Sequence, residues 1–95
     1  MDGFAWNTPT DVAQSLAERM KKIRKRKKIT QMQLAGRSNV SYASLRKFEK
    51  TGKISLESFI KLAMELGVIS EIDNLFTTPV YASIEEVINA TKQNS

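Results

Sequence analysis

The 95-residue sequence contains no cysteine and no histidine. Without cysteine, the chain can form neither a disulfide framework nor a thiolate metal site. Without histidine, it lacks the most common metal ligand and the most common acid–base catalyst. No phosphate-cradling glycine loop is present, and no paired base accompanies the serines and carboxylates. We therefore expect no metal, no cofactor and no enzymatic activity.

Long apolar runs are missing as well. No segment approaches the roughly 18 to 20 apolar residues that a membrane-spanning helix needs. Residues Met1–Thr10 have neither the basic start nor the apolar stretch of a secretory signal. We therefore expect no membrane partner and a cytoplasmic location. Apolar residues make up 41% of the chain, which is enough for one packed domain.

Positive charge is concentrated in the first part of the chain. Met1–Leu56 holds 13 Lys and Arg against 4 Asp and Glu, whereas Glu57–Ser95 holds 2 against 6. Eight of the ten residues in Arg19–Lys28 are basic. This asymmetry predicts that the first part binds a polyanion. A solvated helix end, a nuclear-import signal, or a run that binds RNA or an anionic membrane would also explain the basic residues.

Helix signals recur along the chain, and strand patterns are nearly absent. The first helix is predicted to begin with Thr8 as N-cap and Pro9 at the first helical position. Its apolar face has spacings of four, four and three: Val12, Leu16, Met20 and Ile23. Thr30 begins a second, short helix with a capping box and turns Leu34 inward. Asn39 then interrupts the pattern, because asparagine tolerates a left-handed turn.

Three further helices are predicted up to residue 76. Ser41 caps the third helix and Gly52 ends it, Ser55 and Gly67 bound the fourth, and Ser70 opens the fifth. The apolar positions of the fourth helix are Leu56, Phe59, Ile60, Ala63 and Leu66, and those of the fifth are Ile72, Leu75 and Phe76. With a last amphipathic helix from Ser83, the sequence predicts an all-α bundle of five or six short helices.

A short helix, a tight turn and a second short helix form the unit with which many regulators read DNA. In the third helix, Leu45 and Phe48 point inward, so that the opposite face is basic and hydrogen-bonding. Lys47 or Arg46 is able to donate to a guanine, and Ala43 is small enough to contact a thymine methyl group. The predicted base contacts are Ser41, Tyr42, Ala43, Arg46 and Lys47.

An ordered set of residues begins with Ile29-Thr30-Gln31-x-x-Leu34-Ala35, continues with Asn39-Val40-Ser41, Leu45, Glu49 and Gly52, and ends with Ser55-Leu56-x-x-Phe59-Ile60-Lys61-Leu62-Ala63-x-x-Leu66-Gly67. This set resembles the phage repressor–Cro (XRE) helix-turn-helix family. The resemblance covers about Leu16 to Phe76 and implies a bacterial or phage regulator. It implies a buried salt bridge between Arg24 and Glu49. It also implies that Gln31 donates to a DNA phosphate, and the phosphate contacts predicted in all are Thr30, Gln31, Ser44, Lys50 and Lys53.

The sequence departs from the family pattern at two places. Asn39 stands where the family usually has the glycine of the turn. The usual Glu-x-Gly is one residue longer here, Glu49-Lys50-Thr51-Gly52. In this longer form the chain is similar to regulators paired with Hip-type kinase toxins.

The chain is predicted to divide into a flexible tail (1–8), a helix-turn-helix DNA-binding domain (9–76) and a C-terminal extension with a short helix (77–95). More apolar residues follow Gly67 than the core of the domain needs. Burial within the chain or a homodimer surface would explain them, and the resemblance supports the dimer. The predicted dimer residues are Ile69, Ile72, Leu75, Phe76, Ile84, Val87 and Ile88.

The expected function is a homodimeric repressor of a palindromic operator; the alternative is an antitoxin that binds a kinase-like toxin and represses its own operon.

Overall fold

A computed structural model describes residues 8–79, and these residues form five α-helices and no strand. The helices are α1 (Pro9–Arg26), α2 (Gln31–Ser38), α3 (Tyr42–Thr51), α4 (Leu56–Glu65) and α5 (Ile69–Asp73). The all-α prediction is confirmed for this part of the chain. The predicted tail up to Asn7 and the last helix, with Ile84, Val87 and Ile88, lie outside the described residues.

The first four helices begin where their capping residues predict. Thr8 and Asp11 form a reciprocal capping box at α1: the Thr8 hydroxyl accepts from the Asp11 N–H at 3.1 Å, and the Asp11 carboxylate accepts from the Thr8 N–H at 3.2 Å. Thr30 forms the same arrangement with Gln33 at the start of α2. Ser41 and Ser55 each cap their helix by accepting from the N–H three residues on. These caps satisfy amide groups that would otherwise lack a partner.

Left-handed residues turn the chain between consecutive helices. Lys28 lies at φ 58° between α1 and α2, Asn39 at φ 58° between α2 and α3, and Gly67 at φ 77° after α4. Asn39 thus takes over the glycine position of the turn, since a short polar side chain tolerates this region better than most others. The Val40 N–H donates to the Ala35 carbonyl at 3.0 Å and closes the turn.

The fifth helix differs from its prediction. It begins at Ile69 rather than after Ser70, its N-cap is Val68, and no side chain caps it. Ser70 therefore lies inside the first turn of the helix. The helix ends at Asp73, so Leu75 and Phe76 follow it instead of belonging to it. The serine signal was misleading because the chain had already turned at Gly67 and enters α5 directly.

The core is formed by the inner faces of α1 to α4. Phe48 and Phe59 meet edge to face, with ring centroids 5.7 Å apart. The buried apolar residues are Ala17, Met20, Leu34, Ala35, Val40, Leu45, Phe48, Leu62, Ala63 and Leu66. Three predicted core residues are more exposed than expected: Val12, Leu16 and Leu56. Leu56 is 71% exposed because it is the first residue of α4, one turn before Phe59, where the helix begins to pack.

Candidate nucleic-acid interface

Helix α3 separates an inner from an outer face. Leu45 and Phe48 are buried to 0% and 2% exposure, and they fix the helix on the core. At its start, the Ser41 hydroxyl accepts from the Ser44 N–H at 3.0 Å and donates to the Ser44 hydroxyl at 2.8 Å. The outer face is polar and exposed, and it comprises Tyr42, Ala43, Ser44, Arg46, Lys47 and Lys50. The structure thus brings four of the five predicted base contacts onto one accessible helix face, with Ser41 at its N-cap.

A hydrogen-bonded cluster around Glu49 joins α3 to α1 and α2. The Arg24 guanidinium on α1 makes two bonds to the Glu49 carboxylate, from Nε at 2.7 Å and from Nη2 at 3.0 Å. Its third nitrogen, Nη1, donates to the Ile29 carbonyl at 2.7 Å. The side chains of this ion pair are only 9% and 4% exposed. Burial and bidentate geometry make this an architectural contact, in which either charge would be uncompensated without the other.

Gln31 is the third member of the cluster. It is the first residue of α2, and its Nε2 donates to Glu49 Oε1 at 2.8 Å. A side-chain amide carries two N–H donors, so this bond leaves one for another acceptor. The amide is half-buried and held at the helix N-terminus, where backbone N–H groups favour an anion. The Thr30 hydroxyl, predicted as a second phosphate contact there, accepts from the Gln33 N–H in the cap of α2, and its own O–H is still able to donate to an acceptor.

Gly52 sets the distance between the end of α3 and α1. Its φ is 82°, and its N–H donates to the Phe48 carbonyl at 2.7 Å. A β-carbon at this position would lie 2.7 Å from the backbone carbon of Ala13 and 2.7 Å from the backbone nitrogen of Gln14. Only glycine permits so close an approach in this conformation. The residue therefore helps to fix the tilt of α3 relative to α1.

The longer connection after α3 is ordered by Thr51. Its hydroxyl donates to the Lys47 carbonyl at 2.7 Å and accepts from the Lys53 N–H at 3.1 Å. An open cleft of about 340 Å³ lies beside this connection, and its lining residues are Ser44, Lys47, Lys53, Ile54, Ser55 and Ser58. Two predicted phosphate contacts, Ser44 and Lys53, thus meet in one cleft. Lys50, another of the five predicted phosphate contacts, is exposed near the end of α3.

Sequence reasoning did not predict Ser55 and Ser58 as part of this surface. They belong to the first turn of α4 and its cap, where the Ser55 hydroxyl accepts from the Ser58 N–H at 3.1 Å. The cap itself was predicted, and a helix N-terminus beside a lysine cluster is the signal that would have indicated an anion-binding surface. The sequence did not indicate how the Thr51–Ile54 connection folds, and this connection brings the first turn of α4 next to Lys47.

The basic run Arg19–Lys28 is divided among several roles. Arg24 is buried in the ion pair, and Lys21 is half-buried, whereas the other six basic residues are exposed. The Lys27 ammonium group lies 3.9 Å from the ideal β-carbon position of Gly67, beside the C-terminal end of α4. A cation is favourable there because helix C-termini carry partial negative charge. The run therefore combines a structural charge, Arg24, with charges that lie on the surface.

Comparison with protein families identifies the arrangement. A family model described as helix-turn-helix matches residues 20–71, more than half of the chain. This match spans the ion pair, both helices of the motif and α4, and it defines the protein as a DNA-binding transcription regulator. The chain belongs to the repressor–Cro (XRE) type of helix-turn-helix family. A search of curated proteins gave no match to the chain.

Two further findings concern residues 8–79 alone. No helix in this range is long and apolar enough to cross a membrane. The same range holds no group of three or more histidine, cysteine, aspartate or glutamate side chains placed to bind a metal ion.

Proposed function

We propose that the protein is a homodimeric, sequence-specific repressor that occupies a palindromic operator and excludes RNA polymerase from it. The observation that carries the proposal is the outer face of α3, which is exposed and basic while its inner face is fixed by Leu45, Phe48 and the Glu49 cluster. A helix held in this way can enter the major groove as a rigid body. Its function is binding, and no catalytic step is proposed.

Within this function, base and phosphate contacts have separate tasks. Base contacts, which select the sequence, are proposed for Ser41, Tyr42, Ala43, Arg46 and Lys47. Phosphate contacts, which position the protein and contribute most of the affinity, are proposed for Thr30, Gln31, Ser44, Lys50 and Lys53. The cleft between α3 and α4 supports the second set, because Ser44 and Lys53 line it together with Lys47.

The test is a fluorescence-anisotropy titration with the DNA upstream of the gene and with a shuffled duplex, at several salt concentrations. We expect a preference of about 10³ or more for the upstream DNA and a logarithm of the binding constant that falls steeply with the logarithm of salt concentration. Equal affinity for both duplexes would leave a protein that coats nucleic acid, and no binding at low salt would refute the proposal.

Two variants test the division of tasks. Lys47→Ala removes a side chain from the outer face of α3, so it should reduce the operator preference by about 1–3 kcal/mol if the lysine reads a guanine. Gln31→Ala should weaken binding to operator and shuffled DNA by the same factor, because phosphate contacts carry no sequence information. Because Gln31 also donates to Glu49, the melting temperature of the Gln31→Ala variant is measured in parallel. Identical losses of preference in both variants would contradict the assignment.

The second candidate is an antitoxin that binds a kinase-like toxin through its α5 end and represses its own operon. Apolar surface at this end favours it, because Leu75 is 53% exposed and Phe76 is 97% exposed. DNA binding would be the same in both cases. Co-purification with a kinase-like protein encoded beside this gene would support the antitoxin, provided that Phe76→Asp abolishes it and Met64→Asp, at another exposed apolar position, does not.

Homodimer formation is proposed through the same end of the molecule. Of the predicted dimer residues within the described range, Ile69 and Ile72 are half-buried, while Leu75 and Phe76 are exposed. A two-fold dimer suits an operator with two half-sites about one helical turn apart. Gel-shift titrations with one and with two half-sites test it, since a dimer should bind the two-site duplex much more tightly.

A further inference from the structure

The side-chain amide of Gln31 is held from one side before any DNA is present. Its Nε2 donates to Glu49 Oε1 at 2.8 Å, and the Glu49 side chain is only 4% exposed. Among residues 8–79, this is the only hydrogen bond that the Gln31 side chain makes. One N–H donor and the amide oxygen therefore stay available to a ligand at the start of α2.

Glu49 also determines which way this amide faces. An ionised carboxylate accepts hydrogen bonds and has none to donate. If the Gln31 amide were turned by half a rotation, its oxygen would face the Glu49 oxygen, and two acceptors would repel each other. The amide nitrogen is therefore fixed toward Glu49. Because both N–H bonds lie in the plane of the amide, the second N–H keeps one direction as well.

The Arg24 guanidinium holds the Glu49 carboxylate in place and balances its charge. Two of its nitrogens donate to Glu49, at 2.7 and 3.0 Å. The third donates at 2.7 Å to the carbonyl of Ile29, which lies two residues before Gln31. The carboxylate is thus prevented from rotating away from α2. An uncompensated carboxylate so near the start of α2 would repel a DNA phosphate, whereas a neutral ion pair does not.

We infer that Glu49, beyond its part in the fold, is a positioning residue for DNA binding: it orients the Gln31 amide so that the second N–H is directed at a DNA phosphate. The inference rests on the proposed phosphate contact of Gln31 and adds how that contact is prepared. The backbone N–H groups of Gln31 and Met32 open α2 and have no acceptor within the helix. A phosphate at this helix end would therefore meet them together with the oriented side chain.

Orientation in advance matters because a glutamine side chain has many rotamers. A side chain that becomes ordered only on binding lowers the affinity, and ordering one such side chain beforehand is worth about two- to twelvefold in the binding constant. In this protein the bond to Glu49 orders Gln31 during folding. Loss of the orientation should weaken binding to all DNA sequences equally, because a phosphate contact carries no sequence information.

Nuclear magnetic resonance relaxation of the full chain tests the orientation directly. Without DNA, the side-chain Nε2 of Gln31 should have an order parameter near that of a rigid backbone, about 0.85, and the value should change little when DNA is added. Gln14 on α1 is the matched control. It is exposed and makes no side-chain hydrogen bond within the described range, so its value should lie below about 0.6. A Gln31 amide as mobile as that of Gln14 in the free protein would overturn the inference.

A double-mutant cycle measures the consequence for DNA binding. In the otherwise unchanged protein, Gln31→Ala should weaken binding about tenfold or more, as for other hydrogen bonds to a charged group. The background Arg24→Met with Glu49→Leu removes the positioning pair without leaving a charge buried alone. In this background Gln31→Ala should weaken binding by a factor about two- to twelvefold smaller. Equal factors in the two backgrounds would overturn the inference.

Lys53→Ala is the matched control for the cycle. Lys53 is another proposed phosphate contact, but it lines the cleft between α3 and α4 and makes no side-chain bond to the Glu49 cluster. Its substitution should weaken binding by the same factor in both backgrounds. If the buried pair only held α3 at its tilt, Gln31→Ala and Lys53→Ala would lose their effects alike, and that result would also overturn the inference.

Failure of this inference is separable from failure of the proposed function. If the unaltered protein binds neither duplex at low salt, the proposed function fails first. If the unaltered protein prefers the upstream DNA but Gln31→Ala binds it equally well, the proposed function stands and this inference alone falls. The order parameter is measured on the unaltered protein, so it decides the question even if the Arg24→Met, Glu49→Leu background does not fold.

Discussion

Replacement of Gly52 by alanine should destabilise the domain more than the same replacement at Gly36 or Gly67. The left-handed backbone, at φ 82°, costs about 1–2 kcal/mol for a residue with a β-carbon. That carbon would also lie 2.7 Å from two backbone atoms of α1, which cannot move aside like a flexible side chain. Overpacking of this kind costs about 1–3 kcal/mol, so the total is about 2–5 kcal/mol.

Two other glycines separate these contributions. Gly67 has φ 77°, but a β-carbon there would meet only the Lys27 ammonium group at 3.9 Å, so Gly67→Ala should show the backbone cost alone, about 1–2 kcal/mol. Gly36 is helical, and a β-carbon there would meet nothing within 4 Å. Gly36→Ala should therefore stabilise the domain by about 0.5–1 kcal/mol.

The assay is urea denaturation followed by circular dichroism, with the slope of the transition checked for constancy among the variants. Thermal melts give a second readout: in a domain of this size each kcal/mol shifts the melting temperature by about 4–8 °C, so the order of the three variants is easily resolved. A Gly52→Ala variant no less stable than Gly67→Ala would refute the reasoning, because the close approach of α3 to α1 would then contribute nothing.

The remaining predictions concern the buried ion pair and the turn before α2. Arg24→Met should lower the free energy of unfolding by about 3–5 kcal/mol, because Glu49 would be left buried without its partner. Arg24→Met combined with Glu49→Leu should lower it markedly less. Urea denaturation measures both values, and a double variant as unstable as the single one would argue against this reasoning. Lys28→Gly should stabilise the domain by about 0.5–1 kcal/mol, since the lysine occupies the left-handed region at φ 58°. The melting temperature should rise slightly, and a lower melting temperature would mean that the lysine side chain has a stabilising contact.

Local signals predicted the helices well, because caps and turns are decided by neighbouring residues. Thr8, Thr30, Ser41 and Ser55 each cap the helix that their sequence context predicts. The prediction that Ser70 caps the fifth helix was wrong because Ser70 lies one residue inside that helix, whose start is determined by the preceding turn.

Contacts between distant residues were not accessible in the same way. The Gln31–Glu49 bond joins residues 18 positions apart, and nothing in their spacing indicates it. The Arg24–Glu49 pair, 25 positions apart, was expected only through the family resemblance. An apolar cleft lies where α1, α4 and α5 meet, and its shape depends on how these three helices pack. The sequence could indicate that more apolar residues follow Gly67 than the core needs, but not the cavity that some of them line.

The division of α3 into two faces has a consequence for how such a protein can change its target. The residues that hold the helix in place, Leu45, Phe48 and Glu49, are not among those proposed to meet the bases. Under the proposed function, sequence preference can therefore be changed through the outward side chains without loss of folding. We expect libraries that vary positions 42, 43, 46 and 47 to yield mostly folded proteins, and the proposed base contacts predict that these proteins prefer altered DNA sequences.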